Sequence, residues 1–105
     1  MEIGDRIFGL WETDWWYPGV IVDKNHQGLE VQFDDGDRAM LSPESVRQIQ
    51  VSNGMRVFGR WNGGGNYYAG RIASIQGAMI AIDYDDGDSE KTTVSMIRVN
   101  SADLT

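Results

Sequence analysis

The sequence repeats itself at an offset of 50 or 51 residues, and this duplication constrains the fold more than any other feature. Phe-Gly-Leu-Trp at 8–11 returns as Phe-Gly-Arg-Trp at 58–61, and Phe-Asp-Asp-Gly-Asp at 33–37 returns as Tyr-Asp-Asp-Gly-Asp at 84–88. Tyr-Pro-Gly at 17–19 corresponds to Tyr-Ala-Gly at 68–70. A repeat of this kind indicates a tandem of two small modules. We therefore predict two domains, residues 1–50 and 51–105.

Each half is predicted to contain five short strands. Aromatic and β-branched residues mark the strands, and Asp-Asp-Gly supplies the tight turn of a hairpin because Gly tolerates positive φ. No window of a dozen residues has helical periodicity, so we predict an all-β chain. The joint at 50–54 is short, and we expect two small bent barrels packed closely together. The strands are expected at 5–11, 16–23, 29–33, 37–41 and 46–49, and at 55–61, 67–75, 78–84, 88–94 and 97–99. Single helical turns are expected before each fifth strand, the first with Ser42 as its cap and Pro43 at its first position.

Composition and charge narrow the functional classes. The chain has no cysteine, which excludes disulfides and thiolate metal sites. Its net charge of −7 repels phosphate backbones, which favours a basic partner and disfavours nucleic acid. The charge lies mainly in the first half, where ten acids face four bases. No apolar run reaches the roughly 20 residues that span a bilayer. We expect an intracellular monomer that does not contact membranes, nuclear in a eukaryote and cytoplasmic in a bacterium.

The duplicated residues are aromatics and acids at turns, where binding groups tend to lie. In a small barrel, the loop after the first strand and the turn after the third can share one end. Aromatic faces around a small pocket attract a methylated ammonium through cation–π contact, and a carboxylate adds charge attraction and a hydrogen-bond acceptor. In the second half this set comprises Trp61, Tyr68, Tyr84, Asp86 and Asp88.

These residues resemble the Tudor domains of the Royal superfamily, and specifically the tandem Tudor readers of methylated lysine. Trp61, the polar loop and Tyr68-Ala-Gly70 are similar to the family's first-strand Trp and Tyr-x-Gly, and 84–87 is similar to its aromatic-Asp-Asp-Gly turn. The resemblance implies two SH3-like barrels, a cage with walls Trp61, Tyr68 and Tyr84, and Asp86 as its acidic member. It also implies a methylated lysine or arginine on a basic peptide or protein as ligand, which in a eukaryote includes a histone tail and a role as chromatin reader. No cofactor is implied.

The first half carries the same set in altered form. By the resemblance its cage positions are Trp11, Tyr17, Phe33 and Asp35, with Asp37 after the glycine. Its loop is one residue shorter and contains Trp15 and Trp16, so either Trp16 or Tyr17 could provide the second wall.

Other interpretations of these residues stay open. The aromatics could instead cover an undersized core, and Asp-Asp-Gly could serve only as a turn. A calcium loop is disfavoured because the glycine and the final acid do not fall at the required positions. We expect no enzymatic activity, since the sequence contains no recognisable catalytic constellation. The alternatives to a methyl-ammonium reader are an adaptor for an unmodified partner and a nucleic-acid binder that uses Arg56, Arg60 and Arg71.

Overall fold

The computed structural model describes residues 1–104, which form two compact units. Unit 1 comprises Met1–Gln50, and unit 2 begins at Val51. Both units consist of short antiparallel strands and single 3-10 turns, so the predicted all-β class is confirmed. Across residues 1–104, no helix has both the length and the apolar character needed to cross a bilayer.

Unit 1 is a five-stranded antiparallel barrel in the order β4-β3-β2-β1-β5. A bulge between Ile21 and Asp23 bends the long second strand. Its strands are β1 (Arg6–Glu12), β2 (Trp15–Asn25), β3 (Gly28–Phe33), β4 (Arg38–Leu41) and β5 (Val46–Gln48), with a 3-10 turn at Pro43–Ser45 before β5.

Unit 2 repeats this topology in the order β9-β8-β7-β6-β10. The bulge also returns, between Ile72 and Ser74. Its strands are β6 (Arg56–Arg60), β7 (Tyr67–Gln76), β8 (Met79–Tyr84), β9 (Ser89–Thr93) and β10 (Ile97–Asn100), with 3-10 turns at Trp61–Gly63, Val94–Met96 and Ser101–Asp103.

The core of each unit is built from the inward-facing residues of these strands. Alternate residues of a strand point to opposite faces, so every second residue of β3 and β8, counted from Leu29 and from Ile80, faces inward. The residues of the unit 1 core cluster have buried counterparts in unit 2 at the repeat offset. The unit 1 cluster is Ile7, Ile21, Leu29, Val31, Phe33 and Val46, and its counterparts are Val57, Ile72, Ile80, Ile82, Tyr84 and Ile97.

Two duplicated glycines are required because strands approach closely at their positions. A Cβ at Gly70 would lie 2.8 Å from the carbonyl oxygen of Asp83, and one at Gly19 would lie 2.8 Å from that of Gln32. Real Cβ atoms do not approach backbone this closely. The glycine of the Tyr-x-Gly motif is therefore required by the close packing of the second and third strands.

The 3-10 turns differ from the prediction in one detail. Pro43 occupies the first position as predicted, but the Ser42 side chain forms no capping hydrogen bond. Its hydroxyl instead lies 3.4 Å from the Ser45 hydroxyl. The N–H of Ser45, which a side-chain cap at position 42 could bind, donates instead to the Ser42 carbonyl oxygen at 2.9 Å. Ser42 therefore occupies the predicted N-cap position, but its side chain does not cap the turn.

We predict that Gly70→Ala destabilises the protein by about 1–3 kcal/mol, because the added methyl overpacks against backbone. Urea unfolding measures this as a lower transition midpoint. Gly65→Ala is the matched control, since a Cβ there meets no atom within 4 Å. Equal midpoints for the two variants would contradict the packing argument.

Candidate functional site

The five residues predicted from the second repeat line one pocket in unit 2. Its volume is about 180 Å³. Small-molecule pockets usually have volumes of roughly 300–1,000 Å³, so this pocket suits a single side-chain head group. The lining residues are Trp61, Tyr68, Tyr84, Asp86 and Asp88.

The three aromatic side chains occupy different depths. Tyr84 is only 5% exposed and ends β8, whereas Trp61 and Tyr68 are 41% and 46% exposed. The Trp61 and Tyr84 rings make an edge contact, with centroids 5.7 Å apart and an interplanar angle of 84°. Tyr84 therefore forms the floor of the pocket, and the other two aromatics stand at its mouth.

A glycine in the first strand of unit 2 makes room for this floor. A Cβ at Gly59 would lie 2.5 Å from the Tyr84 hydroxyl oxygen and 3.0 Å from Cδ1 of Ile82. The Tyr84 side chain can therefore reach beneath β6 only because residue 59 has no side chain. The repeated Phe-Gly dipeptide thus has a direct consequence for the pocket.

Glu90, on β9, joins the floor of the pocket to its rim. Its Oε2 accepts a hydrogen bond of 2.5 Å from the Tyr84 hydroxyl. Its Oε1 accepts one of 3.1 Å from the backbone N–H of Asn62, the residue that follows Trp61. The Glu90 carboxylate therefore binds the hydroxyl of one aromatic wall, Tyr84, and the backbone beside another, Trp61.

The environment of Tyr84 raises the pKa of its phenol well above the usual value of 10. Burial is the largest cause, because it penalises the charged phenolate. The hydrogen bond to Glu90 and the negative charges of Glu90 and Asp86 act in the same direction. Tyr84 therefore remains a neutral hydrogen-bond donor at physiological pH.

The Asp-Asp-Gly turn has the same internal structure in both units. Asp86 Oδ1 accepts from the Asp88 N–H at 3.0 Å, and Asp35 Oδ1 does the same for Asp37. The glycines have positive φ, 97° at Gly87 and 102° at Gly36. The second acid thus forms the turn in each unit, and in unit 2 it also lines the pocket.

The first acid of each turn pairs with an arginine of the first strand. Arg56 lies 2.8 Å from Asp85, and Arg6 binds both oxygens of Asp34 at 2.5 and 2.6 Å. The hydrogen bond to Asp34 also raises the pKa of the Arg6 guanidinium. These ion pairs fix the turn against the barrel and leave the second acid to face the pocket in unit 2.

The loop that carries Trp61 is held by its own arginine. Nε of Arg60 donates to the carbonyl oxygen of Gly64 at 2.7 Å, and the loop turns through positive φ at Asn62 and Gly63. The equivalent connection in unit 1 is the two-residue turn at 13–14, with positive φ at Asp14. The extra residue of the second repeat therefore belongs to a longer and differently folded loop.

Unit 1 places the corresponding residues in a different arrangement. Trp11 is 48% exposed and makes an edge contact with buried Phe33, with centroids 5.4 Å apart. Tyr17 packs against the unit 1 core, and its hydroxyl donates to Glu12 at 2.5 Å. Phe33 has no hydroxyl, and the position equivalent to Glu90 is Ala39.

The strand register decides between Trp16 and Tyr17. Tyr17 lies opposite Gly9 as Tyr68 lies opposite Gly59, so Tyr17 is the true counterpart of the second wall. Adjacent strand residues point to opposite faces, and Trp16 is 4% exposed with its ring 5.4 Å from the Arg47 guanidinium. Trp16 is therefore buried on the opposite face of the strand, and the prediction that it could form a cage wall is corrected.

Arg6, Glu12 and Glu90 were not predicted from the sequence, and Arg56 was named only as a possible nucleic-acid contact. Arg6 and Arg56 recur at the repeat offset, so the duplication itself could have indicated their pairing with the turn. Glu12 and Glu90 have no counterpart in the other repeat, and only the register places them near the aromatics. Within residues 1–104, no group of three or more His, Cys, Asp or Glu side chains could hold a metal ion.

Comparison with solved structures decides the fold. The crystal structure of the Crb2 tandem Tudor domains superposes with a TM-score of 0.71 over 99% of this chain and 83% of that chain, at 14% identity. The chain has the tandem Tudor fold. The fold implied by the sequence resemblance is thus confirmed.

Two further structures align less well. They are AGD34 of AGDP1 from Arabidopsis thaliana and the tandem Agenet domain 3-4 of ADCP1, with TM-scores of 0.47 and 0.44, each at 10% identity and over 94% of this chain. The aligned regions cover 82% and 79% of those chains. No protein-family model and no curated protein matches the sequence.

We predict that Tyr84 makes the folding stability depend on pH above about pH 10 and that Tyr84→Phe removes this dependence. The raised pKa means that the unfolded chain loses the phenol proton near pH 10 while the folded chain keeps it. Stability is therefore complete below pH 10 and falls as the pH rises, by about 1 kcal/mol between pH 10 and 11. Urea unfolding of both proteins at pH 8, 10 and 11 measures the difference. A constant difference across these pH values would contradict the assignment.

Proposed function

We propose that this chain is a non-catalytic binding module that recognises a methylated lysine or arginine on a basic partner peptide. The observation that carries the proposal is the pocket in unit 2, where three aromatic rings and two carboxylates line about 180 Å³. Aromatic faces attract a quaternary or methylated ammonium by about 0.5–2 kcal/mol. A methylated head group has the charge and size that this set of side chains favours.

The carboxylates favour a charged ligand over an apolar one. Asp86 and Asp88 are both exposed at the mouth of the pocket, and an anionic rim attracts a cation. An amine with fewer than three methyl groups also keeps an N–H, which a carboxylate oxygen can accept. The net charge of −7 attracts a basic peptide at longer range.

Unit 2 is the better candidate for the ligand site. In unit 1, Tyr17 packs onto the core and its hydroxyl is held by Glu12. In unit 2, the equivalent Tyr68 is 46% exposed at the pocket. We propose that the acidic unit 1 contributes attraction for the partner, while unit 2 holds the methylated side chain.

The arginines of unit 2 do not favour nucleic-acid binding. Arg56 pairs with Asp85, Arg60 binds the carbonyl of Gly64, and Arg71 binds the carbonyl of Gly54 at 2.9 Å. Each guanidinium is thus already used within the unit. A phosphate would have to compete with these contacts and with the overall negative charge.

We predict that Trp61→Ala weakens binding of a methyl-lysine peptide about tenfold or more, because it removes an exposed wall of the pocket. Trp11→Ala, the same change at the equivalent position of unit 1, is predicted to change the affinity by less than about twofold, since Trp11 lies outside the proposed site. Amide chemical shifts followed during titration with un-, mono-, di- and trimethylated lysine peptides give each affinity.

Two outcomes would contradict this proposal. Equal losses for Trp61→Ala and Trp11→Ala would remove the assignment to unit 2. Equal affinity for methylated and unmethylated peptides would favour an adaptor that binds an unmodified partner, for which exposed Trp61 and Tyr68 would provide the contact surface.

A further inference from the structure

Glu90 is the acidic residue most closely tied to the aromatic walls, although it is absent from the duplicated motif. It lies on β9, and the register pairs it with Ile82, two residues before the floor residue Tyr84. The side chain is partly buried and accepts hydrogen bonds at both oxygens. We infer that Glu90 is a positioning residue whose carboxylate, acting through Tyr84, makes the pocket select a cationic head group over a neutral one of the same shape.

Glu90 connects two groups of the pocket that are distant in sequence. The Asn62 N–H and the Tyr84 hydroxyl are 22 residues apart in sequence, and Glu90 binds one with each oxygen. Trp61 immediately precedes Asn62 and packs edge-on against Tyr84. Fixing these two groups therefore fixes the relative position of two aromatic rings. Only a carboxylate accepts at both oxygens, because a glutamine has one accepting oxygen and a donating NH₂ group.

The hydrogen bond to Glu90 also changes the electrostatic character of the Tyr84 ring. A phenol that donates to a carboxylate is polarised, and hydrogen bonds to charged acceptors are about twice as strong as neutral ones. The polarisation moves electron density onto the phenol oxygen and ring, and a more electron-rich ring attracts a cation more strongly. Glu90 binds the Tyr84 hydroxyl and does not itself line the pocket, so it increases the attraction for charge through the Tyr84 ring.

Unit 1 provides a natural comparison. The equivalents of Tyr84 and Glu90 are Phe33 and Ala39, which replace the hydrogen-bonded pair by an apolar pair in the same barrel position. Phe33 is 3% exposed and belongs to the core of its unit. The barrel therefore folds with either pair, and the polar pair coincides with the unit whose pocket has an open aromatic mouth.

The inference rests on the proposed function, and its test uses two matched ligands. One peptide carries trimethyl-lysine, and the other carries its neutral isostere, in which a tert-butyl group replaces the trimethylammonium. Calorimetry gives the ratio of the two affinities, which measures selection for charge. We expect the wild-type chain to prefer the cation about tenfold, and Glu90→Gln to reduce this preference about three- to tenfold.

Two further variants separate this role from general effects. Glu44→Gln removes the same charge from an exposed position in unit 1 and is expected to leave the preference unchanged. Tyr84→Phe is expected to reduce the preference as Glu90→Gln does. If Glu90 acts through Tyr84, combining Tyr84→Phe with Glu90→Gln adds little, since coupled residues are not additive. The Asn62 amide signal is also expected to move in Glu90→Gln without any ligand.

The possible failures can be distinguished. A wild-type chain that binds neither peptide overturns the proposed function, and the inference with it. A wild-type chain that binds both, together with an unchanged preference in Glu90→Gln, overturns the inference alone. Equal loss of both affinities also overturns it, because Glu90 would then be only structural. Additive effects of the two substitutions would contradict the route through Tyr84.

Discussion

The pocket depends on the close approach of the first strand of unit 2 to the side chain that ends the third. Residue 59 has no Cβ, and the Tyr84 hydroxyl occupies the space that a Cβ would need. Tyr84 can then reach Glu90 beneath the strand while its ring supports Trp61. The same approach in unit 1 brings Gly9 against Phe33, which has no hydroxyl to bind an acid. The absence of a side chain at Gly9 and at Gly59 thus makes room for Phe33 in unit 1 and for Tyr84 in unit 2.

The duplication explains why the fold is conserved between the units while their sites differ. Packing residues, turn glycines and the arginine–aspartate pairs recur at the repeat offset, because each closes the same barrel. The aromatic and acidic positions of the pocket also recur, but two elements that shape it in unit 2 do not. Glu90 is replaced by Ala39, and the loop after Trp61 is replaced by a two-residue turn. The two units therefore share one fold, and they differ at the end of the barrel where the pocket of unit 2 lies.

Sequence reasoning predicted the strands well, because alternating apolar residues and Asp-Asp-Gly turns act locally. It also indicated five residues that meet at one pocket, since the end of β6, the start of β7 and the end of β8 lie together in antiparallel pairing. It could not separate Trp16 from Tyr17, because adjacent strand residues exchange faces with a one-residue change in register. It missed Glu90 because that residue meets Asn62 across 28 residues of sequence and belongs to no repeated motif.

We propose that the pocket of unit 2 holds a methylated ammonium group between its aromatic rings. The most direct measurement is the set of intermolecular NOEs between a peptide with ¹³C-labelled methyl groups on dimethyl- or trimethyl-lysine and the ring protons of this chain. We expect NOEs from the methyl groups to Trp61, Tyr68 and Tyr84, in agreement with this proposal. NOEs to Trp11 and Phe33 instead, or NOEs only from the peptide backbone, would contradict it.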